Sequence, residues 1–135
     1  MKRKVQVVII DKNEETPRLL QFKTNALRGG FWQNITGSVE EGETWEEAAV
    51  RELFEESGLK LGPLTDLNFH FKFLIKKEKT VEEHCFLALL TSAHVVQLSH
   101  EHDEFRYIPL EDVRPEHFGF ASSYDAFLKA KLKAQ

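Results

Sequence analysis

Glu52, Glu55 and Glu56 stand at i, i+3 and i+4, a spacing that on a helix sets three carboxylates within one turn of one another. Like charges so placed repel. A chain gains nothing structurally from concentrating them unless a cation or a proton relieves the repulsion. An oxygen-only ligand set points to Mg²⁺, with Mn²⁺ as a substitute. Magnesium keeps several of its waters and is commonly shared between one or two carboxylates and substrate phosphates. The acidic triplet also sits in a fixed frame: Gly37, then Glu43, then Arg51-Glu52-Leu53, then Glu55-Glu56, then Gly58-Leu59. With each charged or glycine position filled at about 6 to 7%, a random window matches this frame on the order of once in 10⁹. A merely solvated acidic face would not require the glycines or the arginine.

The element that must position these carboxylates is a helix with readable ends. Thr44 and Glu47 form a Thr-x-x-Glu capping box, which predicts a start at Trp45, with hydroxyl and carboxylate satisfying free amides. Gly58 followed by Leu59 fits a left-handed C-terminal cap with a hydrophobic contact to the last turn. Between the caps, Trp45, Ala49 and Leu53 repeat every fourth residue with Val50 and Phe54 beside them, a stripe expected to bury against a sheet. Glu52, Glu55 and Glu56 occupy another face.

The stretch from Gly37 to Leu59 resembles the signature of the Nudix hydrolase family at every defining position. The resemblance implies an α/β fold, an α/β/α sandwich around a central mixed sheet, and hydrolysis of a nucleoside diphosphate linked to another group. It also implies site roles. Glu52, Glu55 and Glu56 would be metal-binding and catalytic carboxylates, the Gly37 carbonyl would join the metal shell, and Glu43 with Arg51 would form a supporting ion pair. An arginine there makes local sense, because a fixed cation beside three carboxylates lowers their pKa values and keeps them ionised for metal.

Upstream, Phe31-Trp32-Gln33 running into Thr36-Gly37-Ser38-Val39-Glu40 is similar to the dihydroneopterin triphosphate pyrophosphatase branch. That likeness implies a nucleoside or dihydroneopterin triphosphate cleaved to the monophosphate and pyrophosphate. Where that branch tends to carry paired arginines, this chain has Phe22 and Lys23. Lys23, Arg28, Phe31 and Trp32 are the candidate substrate contacts, with the aromatics offering π faces to a base or pterin ring. Adjacent residues on a strand alternate, so at most one of Phe31 and Trp32 should face a pocket. Downstream, Glu101-His102 before Phe105-Arg106-Tyr107 resembles the family segment whose glutamate reaches the metal from outside the signature. Glu101 or Glu52 is therefore the expected proton acceptor, and Glu104 is expected to be solvated. Three other readings remain, of which an acidic interaction protein with no ligand is made remote by the glycine frame. A dinucleoside polyphosphate or nucleotide-sugar hydrolase would share the whole signature, and a noncatalytic nucleotide-binding module would normally have lost one of the three carboxylates.

The bulk of the chain agrees with a small enzyme. Its 135 residues are read as one domain, residues 1–135, with 41% hydrophobic and 30% charged residues, as in ordinary globular proteins. A net charge of −4 argues against nucleic acid as the main partner, since duplex binding relies on basic patches. The expected partner is a small nucleotide-like polyphosphate. A homodimer is neither required nor excluded. No apolar run reaches the roughly 20 residues needed to cross a bilayer, so a cytoplasmic protein with no membrane partner is expected. Cys85 is the single cysteine and leaves no intramolecular disulfide.

Apolar β-branched runs and turn residues place strands at Val5–Ile10, Arg18–Phe22, Trp32–Thr36, Leu67–Ile75, Val81–Leu90 and Glu104–Ile108. A terminal helix over Ser122–Lys133 is expected to bury Tyr124, Phe127, Leu128 and Leu132. Lys2, Arg3 and Lys4 are read as solvated, and Lys76, Lys77 and Lys79 as a hairpin tip. His84 is read as structural. His100-Glu101-His102 invites a zinc reading, which is discounted, and both histidines are assigned to a loop.

Overall fold

The computed structural model describes residues 1–76 and 79–135. Among these, seven strands form one mixed sheet: β1 (Lys2–Asp11), β2 (Arg18–Thr24), β3 (Trp32–Gln33), β4 (Ile35–Ser38), β5 (Thr65–Ile75), β6 (Lys79–Leu90) and β7 (His102–Pro109). Helix α1 (Trp45–Ser57) and helix α2 (Ala121–Ala134) complete the regular structure. β1 is the spine. Along one edge it pairs in parallel with β6 from Lys2↔Val81 to Asp11↔Leu90. Along the other, its first half pairs antiparallel with β4 and its last residues with β2.

Strand alternation divides the sheet between two cores. Val5, Val7 and Ile9 point to one face, where they join Phe22, Phe86 and Ala88 beneath Ala48, Ala49 and Leu53 of α1. Val8 and Ile10 point to the other and join Leu19, Cys85 and Leu87 beneath Ala126, Phe127 and Ala130 of α2. The α/β/α sandwich expected from the resemblance is therefore the observed fold. Each Val, Leu, Ile or Phe side chain of these two cores, fully removed from water, stabilises the fold by about 1.5 to 3 kcal/mol before conformational entropy is counted. No helix among the described residues is long and apolar enough to cross a membrane.

The ends of α1 are set by local chemistry, as the sequence predicts. Glu47 N–H donates to Thr44 Oγ1 at 3.1 Å and Thr44 N–H to Glu47 Oε1 at 2.8 Å. Gly58 closes the helix at φ 74°, in the left-handed region, with its N–H on the Phe54 carbonyl. Two expected apolar faces are corrected. Phe54 is exposed, because the buried face of α1 runs through Ala48, Ala49, Glu52, Leu53 and Glu56. On α2 the buried row is Ser123, Ala126, Phe127, Ala130 and Ala134, whereas Leu128 and Leu132 face outward. Small residues let that helix lie close to the sheet. The strand expected at Trp32–Thr36 is two strands interrupted at Asn34, whose side chain is committed to tertiary bonds. Lys76 follows β5 and Lys79 opens β6, and Lys77 lies outside the described residues.

Replacing Thr44 with alanine removes one half of the capping box. It should lower stability by about 1 kcal/mol, read in urea denaturation as a smaller midpoint at unchanged slope.

Candidate active site

A cleft of about 660 Å³ opens where the carboxylate face of α1 meets the Gly37 end of β4 and the segment before β7. Arg51 organises its floor. The guanidinium holds Glu43 through two bonds, Nε to Oε2 at 2.7 Å and Nη2 to Oε1 at 2.9 Å. It also donates to the Ser38 carbonyl at 2.8 Å, to Glu52 Oε1 at 2.8 Å and to Glu55 Oε2 at 3.1 Å. Loop, strand and helix are thus fastened by one side chain. The hydrogen bond from Arg51 holds Glu43 below the usual carboxylate range, and the same bond, reinforced by Glu52, raises Arg51 further above its already high value.

The three signature carboxylates have different surroundings. Glu52 and Glu56 are buried and Glu55 is exposed. Burial pushes Glu52 up, an effect the Arg51 hydrogen bond and charge oppose and the Glu55 and Glu56 charges reinforce. Burial also works against ionised Glu56, yet the His102 ring, Glu101 and Ser99 override it and hold the carboxyl at about 2. Ser99 Oγ donates to Glu56 Oε2 at 2.6 Å. His102 Nδ1 lies 3.0 Å from the same oxygen, near enough for an ion pair but off the line of a well-formed hydrogen bond. Glu101 carries the opposite shift. Its hydrogen bond with Glu56, then burial, then the Glu56 charge raise its pKa, against Arg28 and His102.

The donor set suits a hard divalent cation. Every carboxylate on the cleft supplies oxygen, and mutual repulsion at Glu52, Glu55 and Glu56 is what a cation would relieve. A Cβ on Gly37 would collide with the Glu52 carboxyl, so this position must be glycine for strand and carboxylate to approach. Among the described residues no three His, Cys, Asp or Glu side chains are already gathered as a ligand set. Glu55 is turned to Arg51 and Glu56 Oε2 to Ser99 and His102, and these groups would reorient on a cation.

The remaining sequence-predicted residues separate cleanly. Glu101, Arg28 and Phe31 line the cleft, with Arg28 paired to Glu101. Lys23 does not reach it: the residue projects to the other face of β2 and pairs with exposed Glu104 at 3.5 Å. Trp32 is likewise outside the cleft lining, with its ring under the Arg106 guanidinium at 4.0 Å. Phe31 and Gln33 face inward while Trp32 between them faces away, as alternation requires.

Among the residues not singled out from the sequence as site residues, His102, Lys2 and Lys4 line the cleft and Ser99, outside its lining, bonds Glu56. His102, assigned to a loop, is the first residue of β7, is 6% exposed and packs against Phe22 at 5.4 Å between ring centroids. A bulge carries it inward: Lys23 pairs with Glu104 but Thr24 with His102, so Asp103 is the extra residue. Its place just before an alternating strand was the available signal. Ser99 had none. Lys2 and Lys4, read as solvated, line the cleft because they share the face of β1 that carries Gln6, and that alternation with Val5 and Val7 was legible. Arg3, on the opposite face, lies 5.5 Å from the Trp45 ring centroid.

The NUDIX domain model matches residues 2–130, and the chain belongs to that family. A Myxococcus xanthus protein named octanoyltransferase is 36% identical over 109 residues, 78% of this chain and 30% of that protein. The dihydroneopterin triphosphate diphosphatase of Escherichia coli strain K12 is 44% identical over 55 residues, 41% of this chain and 36% of that protein. The oxidized purine nucleoside triphosphate hydrolase of Mus musculus is 34% identical over 106 residues, 73% of this chain and 65% of that protein. The chain thus spans about a third of the length of the first two relatives. Among solved structures, a Caenorhabditis elegans Ap4A hydrolase complex superposes with a TM-score of 0.80 at 25% identity, covering 99% of this chain and 98% of that one. The E. coli dihydroneopterin triphosphate pyrophosphohydrolase gives 0.81 at 24% identity, covering 97% and 95%, a likeness of fold.

The Glu56 shift has a definite sign. A carboxyl held at about 2 in the folded chain stabilises it above the unfolded value near 4.3, and that contribution is lost as pH falls toward 2. Ser99→Ala removes one donor, so in the metal-free protein it should lower stability by about 2 kcal/mol at pH 7 and by progressively less between pH 5 and pH 2. Urea denaturation across that range is the measurement.

Proposed function

We propose that the chain is a divalent-metal-dependent pyrophosphohydrolase that cleaves a nucleoside or dihydroneopterin triphosphate to the monophosphate and pyrophosphate. The observation that carries this reading is the convergence of Glu52, Glu55, Glu56 and Glu101 on one cleft with cations Lys2, Lys4 and Arg28 on its walls. Carboxylates alone would repel a polyphosphate, and lysines alone would bind one without reaction. A Mg²⁺ or Mn²⁺ ion held by Glu52, Glu55, Glu56 and Gly37 would supply charge neutralisation for the phosphates and lower the pKa of water.

The side chains divide the remaining work. Lys2, Lys4 and Arg28 attract and orient the phosphate oxygens. Arg51 keeps Glu52 aligned and opposes, without cancelling, the upward push that burial gives its pKa. The Glu101 carboxylate takes the proton from the attacking water. Its raised pKa suits a base better than that of Glu56, whereas Glu52 is already committed to Arg51. Relatives named for dihydroneopterin triphosphate and for oxidized purine nucleoside triphosphate support a triphosphate substrate. Dinucleoside polyphosphate hydrolysis is the second reading, favoured by the likeness to Ap4A hydrolase, and product analysis separates the two.

Activity on a triphosphate should require Mg²⁺ or Mn²⁺, vanish in excess chelator, and release pyrophosphate rather than orthophosphate. Glu101→Gln should lower kcat by at least the roughly 10²-fold typical of a general base. Glu104→Gln, at a surface pair with Lys23, should be nearly silent. Full rate in chelator, or a Glu104 effect exceeding that of Glu101, would contradict the proposal.

A further inference from the structure

Beside the carboxylate cleft, and sharing Lys4, Gln33, Thr36 and Phe120 with it, lies a second cavity of about 540 Å³. Its walls are apolar, formed by Phe71, Phe73, Leu74 and Ile75 of β5 with Phe120 opposite. Its floor is not. On this face of the sheet α2 covers the half of β1 and β6 that carries Val8, Ile10, Cys85 and Leu87. The other half carries Lys4, Gln6 and Glu83 and is left to the cavity and the interior beside it. Glu83 is 5% exposed and Gln6 and Asn34 are each 1% exposed, so three polar side chains are withdrawn from water beside an aromatic pocket.

Their hydrogen bonds run in one direction. Asn34 Nδ2 donates to Gln6 Oε1 at 2.7 Å and to the Ser123 carbonyl at 3.2 Å, and Gln6 Nε2 donates to Glu83 Oε2 at 2.8 Å. The Ser123 carbonyl can only accept, which fixes the Asn34 amide and, through it, Gln6. What remains over is acceptors. Asn34 Oδ1 is buried without a partner, and Glu83 Oε1 is bonded to nothing among the described residues while Glu83 lines the cavity. Buried acceptors left unmatched are costly, and of these two it is Glu83 Oε1, on a residue that lines the cavity, that favours a ligand bringing donors.

We propose that this cavity takes the heterocycle of the substrate and that Glu83 is its specificity-determining residue, selecting rings that present a lactam N–H beside an exocyclic amino group, as guanine and pterins do. The inference rests on the triphosphate reading above and names its organic half. Adenine offers an acceptor nitrogen where those rings offer N–H, so it would set a lone pair against the carboxylate. Aromatic walls at Phe71, Phe73 and Phe120 suit a flat ring, and the residues common to both cavities place it next to the phosphate-binding cations. Gln6 is a positioning residue, holding Oε2 so that Oε1 is available. Burial pushes the Glu83 carboxyl up against the pull of Gln6 and Lys4, and two N–H donors would stabilise its ionised form.

The test compares GTP, ITP and ATP, which present the lactam N–H with an adjacent amino group, the lactam N–H alone, and an amino group beside an acceptor nitrogen with no lactam N–H. With Mg²⁺, pyrophosphate release by the unaltered chain should rank GTP, ITP, ATP in kcat/KM. Glu83→Gln, a near-isosteric change, should lower the GTP value about 10- to 100-fold, chiefly through KM, and raise the ATP value, because the amide removes the repulsion and can donate to the adenine nitrogen. Equal use of the three by the unaltered chain overturns the proposal even if the variant fails to fold, and so does an unchanged ranking in a folded variant. If no triphosphate is cleaved, the hydrolase reading fails separately, and calorimetric binding of GMP, IMP and AMP decides for the cavity. Tighter GMP binding that is lost in Glu83→Gln upholds it, and equal or absent binding overturns it.

Discussion

The Arg51 guanidinium ties together three pieces of chain that would otherwise move independently: the loop through Glu43, the β4 carbonyl of Ser38, and the carboxylates of α1. Glu43 and Arg51 form a fork-to-fork pair of the kind that fixes direction as well as distance. Without that cation, Glu52 would be a buried carboxylate among other carboxylates, and burial alone would drive it toward the neutral form. Gly37 is the steric counterpart, because only a residue lacking Cβ lets β4 pass the Glu52 carboxyl. The acidic cleft is therefore a constrained state, held open by one cation and one missing methyl group.

A second set of contacts on the far wall gives the glutamates distinct characters. Ser99 and His102 settle on Glu56, and Arg28 on Glu101, while Asn25 anchors the intervening segment by donating its backbone N–H to the Glu101 carbonyl and its Nδ2 to the His100 carbonyl. Two carboxyls in contact are thus pushed apart, one toward permanent ionisation and the other toward a proton affinity useful to a base. Separation of this kind lets chemically identical side chains take different roles.

Legibility in the sequence followed the range of the interactions. The capping box at Thr44, the glycine cap at Gly58 and the acidic frame are local, and their residues lie within one helix and its flanks. The strands of both cores were readable because Val7 to Ile10 and Cys85 to Leu90 are apolar over their length. Phe54, Leu128 and Leu132 misled, since hydrophobicity marks what a position could bury but not how near a helix comes to its sheet. Small residues at Ala126, Ala130 and Ser123 decided that for α2. His102 depended on a bulge at Asp103, and Ser99 on a contact across 43 positions of sequence, neither of which leaves a periodic trace. The polar floor at Gln6, Asn34 and Glu83 was hidden for the same reason, its members lying on β1, between β3 and β4, and on β6.

Whether this constrained acidic cleft is a divalent-cation site is tested by direct binding, without reference to any substrate. Titration of Mn²⁺ into the full chain, followed by electron paramagnetic resonance, should show a saturable site that is lost or weakened at least tenfold in Glu52→Gln and Glu56→Gln and kept in Glu104→Gln. Absence of saturable binding, or equal binding by all four proteins, would contradict the account.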